Sequence, residues 1–309
     1  MNKPLISIII PTFNRASMLD NSIESVRQQT FSDWELIIVD DASTDETENV
    51  IRKHMAEDIR IRYIKHNSNI GANATRNRGI QESSGDYIAF LDDDDRWNPD
   101  KLSLQYDYFK EHPDVGVVYC GYRYIDQNSK SIFKIEWPRY MGDVSVILLR
   151  NNFIGSSVPL FKRECFELAG QFDEKLTSCQ DWDMWIRIAQ IFHFSYINKI
   201  LVDIVVHGHQ ISVNLKSKIE SRQRLLEKHE YLLNKNRPML AHYYKRLAIL
   251  YTLDHTPLKA TQYLLRAIIT NPMGIEYFIH LLLSLIPPLH RSAIRRYGLF
   301  HYDGITFYN

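Results

Sequence analysis

The sequence predicts an α/β protein with a mostly parallel sheet flanked by helices and an α-helical C-terminal extension. Over the first 120 residues, short apolar runs alternate with amphipathic stretches, which is typical of βαβ units. Acidic residues directly follow two of these runs. Beyond residue 217 the periodicity is helical and is interrupted by prolines. We therefore expect one domain over residues 1–212 and a helical extension over residues 213–309.

Four strands are expected in the first hundred residues. Each is a short run rich in apolar or β-branched side chains, and they cover residues 5–10, 34–39, 60–65 and 87–91. Pro11 should end the first strand, and Gly85 should separate the fourth from the helix before it. Residues 115–120, 122–125 and 200–206 also have the composition of strands.

Helices are expected between these strands. Apolar residues recur at helical spacing after the first strand, and Ser43 with Glu46 forms a capping box that should open a helix through about His54. Further helices are predicted over residues 72–82, from Pro99 and over residues 180–192. The extension should contain helices over residues 217–233, 239–253, 258–270 and 275–285.

The charge is unevenly distributed, although 37 Lys and Arg balance 37 Asp and Glu over the 309 residues. Residues 1–212 hold 23 Lys and Arg against 31 Asp and Glu, whereas residues 213–309 hold 14 against 6. An acidic first domain argues against nucleic-acid binding. The basic extension suits an anionic surface or the acidic first domain.

The cysteine pattern and the hydropathy indicate a cytoplasmic protein. Cys120, Cys165 and Cys179 are widely spaced and odd in number, so we expect reduced thiols rather than disulfides or a metal site. We expect no signal peptide and no segment that spans a membrane, because uncharged apolar stretches of sufficient length are absent.

Acidic residues mark the predicted functional site. Asp92 to Asp95 follow the fourth predicted strand, and Asp40 and Asp41 follow the second. Parallel strands end at the same edge of a sheet, where ligand crevices form. Each acidic run alone could be a solvated turn. Neighbouring carboxylates raise one another's pKa unless a cation offsets the charge, so a nucleotide diphosphate with a divalent metal is the better explanation for both runs. The sequence lacks the glycine pattern of a dinucleotide site and a Walker lysine.

Five motifs resemble the successive signatures of family 2 glycosyltransferases. They are Ser7-Ile8-Ile9-Ile10-Pro11-Thr12-Phe13-Asn14-Arg15, Val39-Asp40-Asp41, Asn69-Ile70-Gly71, Ala74-Thr75-Arg76-Asn77-Arg78-Gly79-Ile80 and Gly85-Asp86-Tyr87 through Asp95. The resemblance covers about residues 5–212. It implies a GT-A fold, which is Rossmann-like, and inverting transfer of a hexosyl or N-acetylhexosaminyl group from a nucleotide-diphosphate sugar, with a UDP-sugar favoured as donor.

The resemblance also assigns roles in donor binding. It implies that Pro11, Thr12 and Asn14 line the nucleotide pocket and that Asp41 accepts a hydrogen bond from the uracil ring. Arg76 is placed near the nucleotide; pairing with Asp86 or capping of its own helix are open alternatives.

Metal binding follows from the same resemblance. Asp94 is the implied direct ligand of Mn²⁺ or Mg²⁺, while Asp92 and Asp93 would contact the ribose or metal-bound water, so that Asp92 also belongs to the metal site. His207 lies in residues 206–212, which resemble the loop that closes over the bound donor, and we favour it over His209 as a group that approaches the metal or the diphosphate.

Asp181 is the implied general base. Residues 180–183 resemble the family's Glu-Asp element, although Gln180 replaces the usual glutamate, which leaves open how the acceptor is oriented. The start of a helix favours an ionised carboxylate, and such a base can take the proton of an attacking hydroxyl. A structural role is the alternative, and it is more plausible for Asp183 than for Asp181.

The sequence identifies fewer residues of the acceptor site. Aromatic residues available to stack on sugars are Trp137, Trp182 and Trp185, with core packing as the alternative and the better interpretation for Trp185. The expected acceptor is a surface glycan, such as capsule or lipopolysaccharide, or a lipid-linked saccharide.

Residues 275–297 combine an apolar run with arginines, so peripheral contact with the inner face of the cell membrane and packing on neighbouring helices both fit. Oligomerisation is left open.

Two other functions are compatible with acidic strand ends or with a nucleotide site. A sugar-phosphate nucleotidyltransferase would need a glycine-rich basic loop near the N-terminus, and residues 11–15 do not provide one. A non-catalytic protein that binds a nucleotide or glycan would not need a general base, whereas Asp181 is present.

Overall fold

The computed structural model describes residues 3–207 and 215–297. The strands in these ranges are β1 (Ile6–Thr12), β2 (Trp34–Asp40), β3 (Ile61–Lys65), β4 (Tyr87–Phe90), β5 (Arg96–Trp97), β6 (Val115–Asp126), β7 (Ile132–Glu136), β8 (Leu160–Lys162) and β9 (His193–Val206). The helices are α1 (Ala16–Arg27), α2 (Thr47–Glu57), α3 (Ala72–Glu82), α4 (Lys101–Glu111), α5 (Ser145–Arg150), α6 (Glu164–Ala169), α7 (Gln180–Ala189), α8 (Leu215–Lys228), α9 (Glu230–Asn234), α10 (Arg237–Leu253), α11 (Pro257–Thr270), α12 (Ile275–Ser284) and α13 (Pro287–Tyr297).

The described strands form one mixed sheet in the order β3-β2-β1-β4-β8-β6-β9-β5, with β7 paired to β6. The four strands β3, β2, β1 and β4 run parallel, and β8 is antiparallel to both β4 and β6. All seven residues of β1 and of β2 are buried, as expected of strands that are covered on both faces. The predicted α/β architecture, with helices following the parallel strands, is confirmed.

The strand register brings the two acidic runs to one edge of the sheet. Thr12 lies opposite Asp40 in the β1–β2 pair, and the backbone N–H of Asp41 donates to the Thr12 carbonyl over 2.9 Å. Ile9 lies opposite Phe90 in the parallel β1–β4 pair, so the chain leaves β4 in the same direction and continues into Asp92. The predicted convergence of both acidic runs at one edge is therefore confirmed.

The predicted capping box is wrong. Helix α2 begins at Thr47 rather than after Ser43. The Ser43 hydroxyl instead accepts from the backbone N–H of Asn14 over 2.8 Å, while Asp45 Oδ1 accepts from the Thr47 N–H over 3.1 Å. Ser43 thus joins two loops at the strand edge, because a partner from a distant loop replaces the local cap.

The chain divides into two compact units. The first comprises residues 1–145, 154–175 and 180–210, and contains the sheet. The second comprises residues 146–153, 176–179 and 211–309, so two short segments from the predicted first domain belong to it. Within the second unit α10 is the central helix: thirteen of its seventeen residues are buried, and Asn236 caps it by accepting from the Met239 N–H over 3.2 Å.

In the described part of the chain, no helix is both long and apolar enough to cross a bilayer.

The predicted helix over residues 217–233 is instead two helices, α8 and α9, which meet at His229.

Gly85 permits a close approach between the start of β4 and the backbone of β1. A Cβ at this position would lie 2.7 Å from Ser7 N and 2.9 Å from Leu5 O. Neither is a flexible side chain, so Gly85→Ala should lower the free energy of unfolding by about 1–3 kcal/mol. At Gly155 the nearest atom to a new Cβ would be Ile204 Cδ1 at 3.3 Å, and Gly155→Ala should cost much less. Thermal unfolding of both variants tests this; equal midpoints would contradict it.

Candidate active site

Asp94 and His207 meet where the sheet edge carries the second acidic run. The Asp94 Oδ2 and His207 Nε2 atoms lie 2.8 Å apart. The Nη1 atom of Arg15, in the loop after β1, lies 2.7 Å from the same Asp94 oxygen and 2.8 Å from the same His207 nitrogen. The fold therefore assembles a carboxylate, an imidazole and a guanidinium from three distant stretches of chain around one point.

Arg76 lies beside Asp92. Its Nη2 donates to Asp92 Oδ1 over 2.8 Å, and Ser156 donates to the other Asp92 oxygen. The predicted alternative that Arg76 pairs with Asp86 is wrong, because Asp86 instead pairs with Lys3. Although Arg76 is buried, its Nε and Nη1 have no hydrogen-bond partner among the described residues. An unsatisfied buried guanidinium is costly, and an anionic ligand would remove that cost.

Asp93 and Asp95 are buried within the protein. Thr12 Oγ1 donates to Asp93 Oδ2 over 2.8 Å, so both predicted donor-site residues lie together. Ser157 Oγ and the Val205 N–H contact the two Asp95 oxygens over 2.6 and 3.2 Å. Burial, and then the charge of Asp94, raises the pKa of Asp93 to about 7. The same two causes raise the pKa of Asp95 well above its usual value. The predicted effect of crowding on carboxylate pKa values is thus confirmed for these two residues, with burial as the larger cause.

Asp41 organises the loop that precedes α3. Its Oδ1 accepts from the Ile70 N–H over 2.9 Å and lies 3.0 Å from His66 Nδ1, and its Oδ2 accepts from the Gly71 N–H over 2.8 Å. A carboxylate can accept about four hydrogen bonds, so one site on Asp41 stays available for a ligand N–H.

The two loops around Asp41 are held in unusual backbone conformations. Asn14 and Ala42 have φ angles of 51° and 66°, in the left-handed region that non-glycine residues seldom adopt. The Asn14 Oδ1 accepts from the Thr44 N–H over 2.8 Å and so ties the loop after β1 to the loop after β2. Pro11 is buried at the end of β1. Such strain is often kept where a ligand is bound.

The site fits a divalent cation only if the donor supplies further ligands. Within residues 3–207 and 215–297, no group of three or more His, Cys, Asp or Glu residues could hold a metal ion. Asp94 and His207 offer one carboxylate oxygen and one imidazole nitrogen, and Arg15 already places a positive group against both. Mg²⁺ is commonly held by one or two carboxylates with substrate phosphates rather than by a complete protein cage. Both oxygens of Asp92 accept hydrogen bonds, from Arg76 and Ser156, and Asp94 Oδ2 accepts from Arg15. A cation at either carboxylate would therefore displace or share a contact with a guanidinium.

Asp181 lies in the first turn of α7, as predicted, and is half-buried. The pKa of nearby Tyr122 is raised well above its usual value, chiefly by burial, with the charges of Tyr124, Glu136 and Asp181 as smaller causes. Asp183 differs from Asp181, because it is fully buried and forms an ion pair over 3.0 Å with Arg187, one turn later in α7. The ion pair with Arg187 supports a structural role for Asp183, although as the partner of an arginine rather than as an N-cap.

The candidate sugar-stacking residues separate into core and surface. Trp182 and Trp185 are 1% and 0% exposed, and Trp185 stacks on Phe161 with ring centroids 4.6 Å apart. Trp182 is therefore not a stacking surface, since no sugar reaches a buried ring. Trp137 is 51% exposed and stays a candidate.

Some site residues had no assigned role in the sequence analysis. Arg15 is the last residue of the first motif, so the motif could have indicated that it belongs to the site. Ser156 and Ser157 come from a segment without a recognisable motif. His66 was missed as well. The predicted closing loop over residues 206–212, including His209, lies outside the described residues beyond His207.

Residues 7–166 match the profile of "Glycosyl transferase family 2". The chain is also 32% identical over 211 residues to chondroitin synthase of Escherichia coli; that match covers 68% of this chain and 30% of the synthase. The chain thus spans less than a third of that relative's length.

Two solved structures have a similar fold. S. aureus TarS 1-349 in complex with UDP-GlcNAc has a TM-score of 0.68 at 16% identity, with 96% of this chain and 93% of that chain covered. The mannosyltransferase PcManGT from Pyrobaculum calidifontis, in complex with GDP-Man and Mn²⁺, has a TM-score of 0.58 at 17% identity, with 96% and 88% covered. At these identities the similarity establishes the GT-A-like fold. Because the family profile matches more than half of the residues, the chain belongs to glycosyl transferase family 2 and is a glycosyltransferase.

Proposed function

We propose that this enzyme transfers a sugar, with inversion at the anomeric carbon, from a UDP-sugar to a hydroxyl group of a glycan or lipid-linked saccharide, and that it needs Mn²⁺ or Mg²⁺. The observation that carries the proposal is the meeting of Asp94 Oδ2, His207 Nε2 and Arg15 Nη1 within 2.8 Å of one another at the strand edge. A carboxylate–imidazole pair beside the Arg15 guanidinium, with the buried Arg76 on neighbouring Asp92, suits a cation and the diphosphate that the cation accompanies.

The nucleotide would bind along the ends of β1, β2 and β4. Asp41 would accept from the uracil N–H, which its remaining lone pair can do. Pro11, Thr12 and Asn14 would line the pocket, and Asp92 and Asp93 would contact the ribose or metal-bound water. The unpartnered Nε and Nη1 atoms of Arg76 would donate to the diphosphate.

The leaving group is a diphosphate, which gains negative charge as its bond to the anomeric carbon breaks. Arg76 and Arg15 are fixed donors that can stabilise this charge without rearranging. A divalent ion bound by Asp94 and His207 would supply further charge stabilisation. Arg76 and His207 are buried, and Arg15 and Asp94 are partly buried. Their surroundings therefore have a lower dielectric constant than water, which makes each group more effective.

Asp181 would accept the proton from the acceptor hydroxyl. The hydroxyl oxygen forms a bond to the anomeric carbon as the bond from that carbon to the diphosphate oxygen breaks on the opposite face. The configuration inverts because this is a single displacement, and it needs only one base. The dipole of α7 favours the ionised form of Asp181 at its first turn.

A uridine donor and a polysaccharide acceptor are supported by the relatives rather than by pocket contacts. TarS 1-349 was solved with UDP-GlcNAc, and the chondroitin synthase of E. coli is named for a polysaccharide. We place the reaction in the cytoplasm.

A donor panel tests the proposal. The purified protein should be stabilised against thermal unfolding by UDP and UDP-sugars when Mn²⁺ or Mg²⁺ is present, and it should hydrolyse one of these donors slowly. GDP-sugars and CMP-sugars serve as controls for the base, and EDTA as the control for the metal. Equal stabilisation by all nucleotides, or full stabilisation in EDTA, would contradict the proposal.

Arg76→Met should weaken donor binding. Hydrogen bonds between charged groups contribute about 1.5–3 kcal/mol, so the Kd for UDP should rise roughly 10-fold to 100-fold. The matched control is Arg78→Met, two residues later in α3, where Arg78 forms only a partly exposed pair with Glu82 over 2.7 Å. Calorimetric titration with UDP and Mn²⁺ measures both. Equal affinities in the two variants would exclude Arg76 from the donor site.

A further inference from the structure

Helix α12 buries His280 and Ser284, together with Tyr277, and exposes several large apolar residues. His280 is 0% exposed and Ser284 is 9% exposed, whereas Leu282 is 66% exposed. A helix on the surface of a protein in water normally shows the reverse arrangement. The outer surface of α12 is therefore built for an apolar environment.

The exposed apolar side chains continue from α12 into the start of α13. Those of α12 share one helical face, because they recur every three or four residues, and Leu285, Ile286 and Leu289 follow them along the chain. Each is between 41% and 76% exposed. We call this set the apolar face: Ile275, Phe278, Ile279, Leu282, Leu285, Ile286 and Leu289. Contiguous apolar patches of this kind are rare on monomeric soluble proteins and mark interaction sites.

The charge next to the apolar face is positive. Residues 277–302 contain three arginines, at positions 291, 295 and 296, and no Asp or Glu. A cavity of about 140 Å³ in the same unit is lined by Thr252, His255, Ser284, His290 and Arg291, together with Pro257 and Ala260. Its polar lining contains hydrogen-bond donors and no carboxylate, which suits a phosphate group.

The two helices are too short to cross a bilayer. Helix α12 has 10 residues and α13 has 11, whereas a spanning helix needs about 20. Short helices with an apolar face and neighbouring arginines lie in the plane of the membrane, with the apolar side chains among the lipid tails and the arginines near the headgroups.

We propose that the apolar face of α12 and α13 docks the protein onto an anionic phospholipid membrane, with the helices parallel to the membrane surface. The positive flank favours anionic lipid over a second copy of the same basic extension, which would repel it. Glu276, the acidic residue of α12, is paired with Lys245 over 2.8 Å. This proposal does not depend on the donor chemistry, because lipid binding needs neither nucleotide nor metal.

Vesicle flotation of the full chain tests the proposal. The protein should float with phosphatidylcholine vesicles that contain phosphatidylglycerol and should float much less with phosphatidylcholine alone. Raising the salt concentration should weaken the binding, because salt screens the charges. No flotation with anionic vesicles would overturn the proposal.

Variants identify the surface involved. The triple variant Ile279→Ser, Leu282→Ser, Leu285→Ser should lower partitioning at least roughly tenfold, since each buried apolar side chain contributes about 1.5–3 kcal/mol. Arg291→Glu should weaken binding to anionic vesicles. The matched control is Ile191→Ser, which changes an equally exposed isoleucine (50%) in the first unit. It should bind like the wild type.

The oligomeric state is measured on the same samples by light scattering. If the triple variant keeps full vesicle binding, the apolar face does not bind the membrane. If its only change is from dimer to monomer, the apolar face is a contact between copies. Either result overturns the proposal. Unchanged thermal unfolding of the triple variant verifies that its fold is intact, as expected for exposed positions.

Discussion

Replacing Asp94 with asparagine should abolish metal-dependent donor binding and reduce transfer by roughly 1,000-fold or more, since a metal at a developing charge contributes several kcal/mol. The amide keeps the shape of the side chain but loses the charge that faces Arg15 and His207, which lie 2.7 and 2.8 Å from Asp94 Oδ2. Calorimetry with UDP, with and without Mn²⁺, measures the binding directly.

The control for Asp94→Asn is the same substitution at the next residue, Asp95→Asn. Asp95 is buried and its carboxylate contacts Ser157 Oγ and the Val205 N–H. Its raised pKa reduces the cost of replacing it with a neutral amide. Asp95→Asn should therefore keep metal-dependent UDP binding, provided that thermal unfolding verifies the fold. If Asp94→Asn binds UDP with the wild-type dependence on Mn²⁺, Asp94 is not a metal ligand.

Asp181→Asn should retain donor binding and lose transfer. General base catalysis contributes about 100-fold to 10,000-fold, and an amide cannot accept the hydroxyl proton. The kcat for transfer should therefore fall by that factor, while the Kd for UDP with Mn²⁺ and the thermal midpoint should change little, because Asp181 is only half-buried. Wild-type turnover in this variant would refute the assignment of the base.

Asp183→Asn is the matched control, two residues away on the same helix. Asp183 is fully buried and pairs with Arg187 over 3.0 Å. Removing one partner of a buried ion pair costs about 3–5 kcal/mol, so this variant should unfold at a lower temperature while the folded protein keeps its turnover. The two variants should thus separate catalysis from stability. A large loss of turnover in folded Asp183→Asn would assign Asp183 a part in the reaction.

The four aspartates after β4 cannot be told apart in the sequence. Asp92 to Asp95 are four identical residues, yet Asp92 pairs with Arg76, Asp94 meets Arg15 and His207, and Asp93 and Asp95 are buried with raised pKa values. Residues 92–95 form a turn, in which the Asp95 N–H donates to the Asp92 carbonyl over 3.1 Å, so neighbouring side chains meet different surroundings. The partners come from β1, α3, β9 and the segment before β8.

Residue pattern was sufficient for the parallel strands and for the common edge. The apolar runs of β1, β2 and β4 are long enough to be strands, and helices between them require parallel pairing. The edge that carries Asp41 and Asp94 follows from that pairing alone. Periodicity did not reveal the short strands β5 and β8, because two or three residues give no measurable period.

The apolar content of α12 was equally visible in the sequence, but its orientation was not. Periodicity marks an apolar stripe without saying whether it faces the protein or the solvent. The structure places His280 and Ser284 inside and leaves Leu282 and Leu285 exposed, which led to the membrane proposal.

Local composition was thus enough to identify the α/β fold, the acidic strand edge and the resemblance to a glycosyltransferase family, because strand length, helical period and motif spacing are short-range properties. Which aspartate meets Arg15 and His207, which aspartates are buried and which side of α12 is exposed depended on folding. These properties arise from contacts between segments as far apart as Arg15 and His207, and burial and charge at such contacts are set by three-dimensional packing.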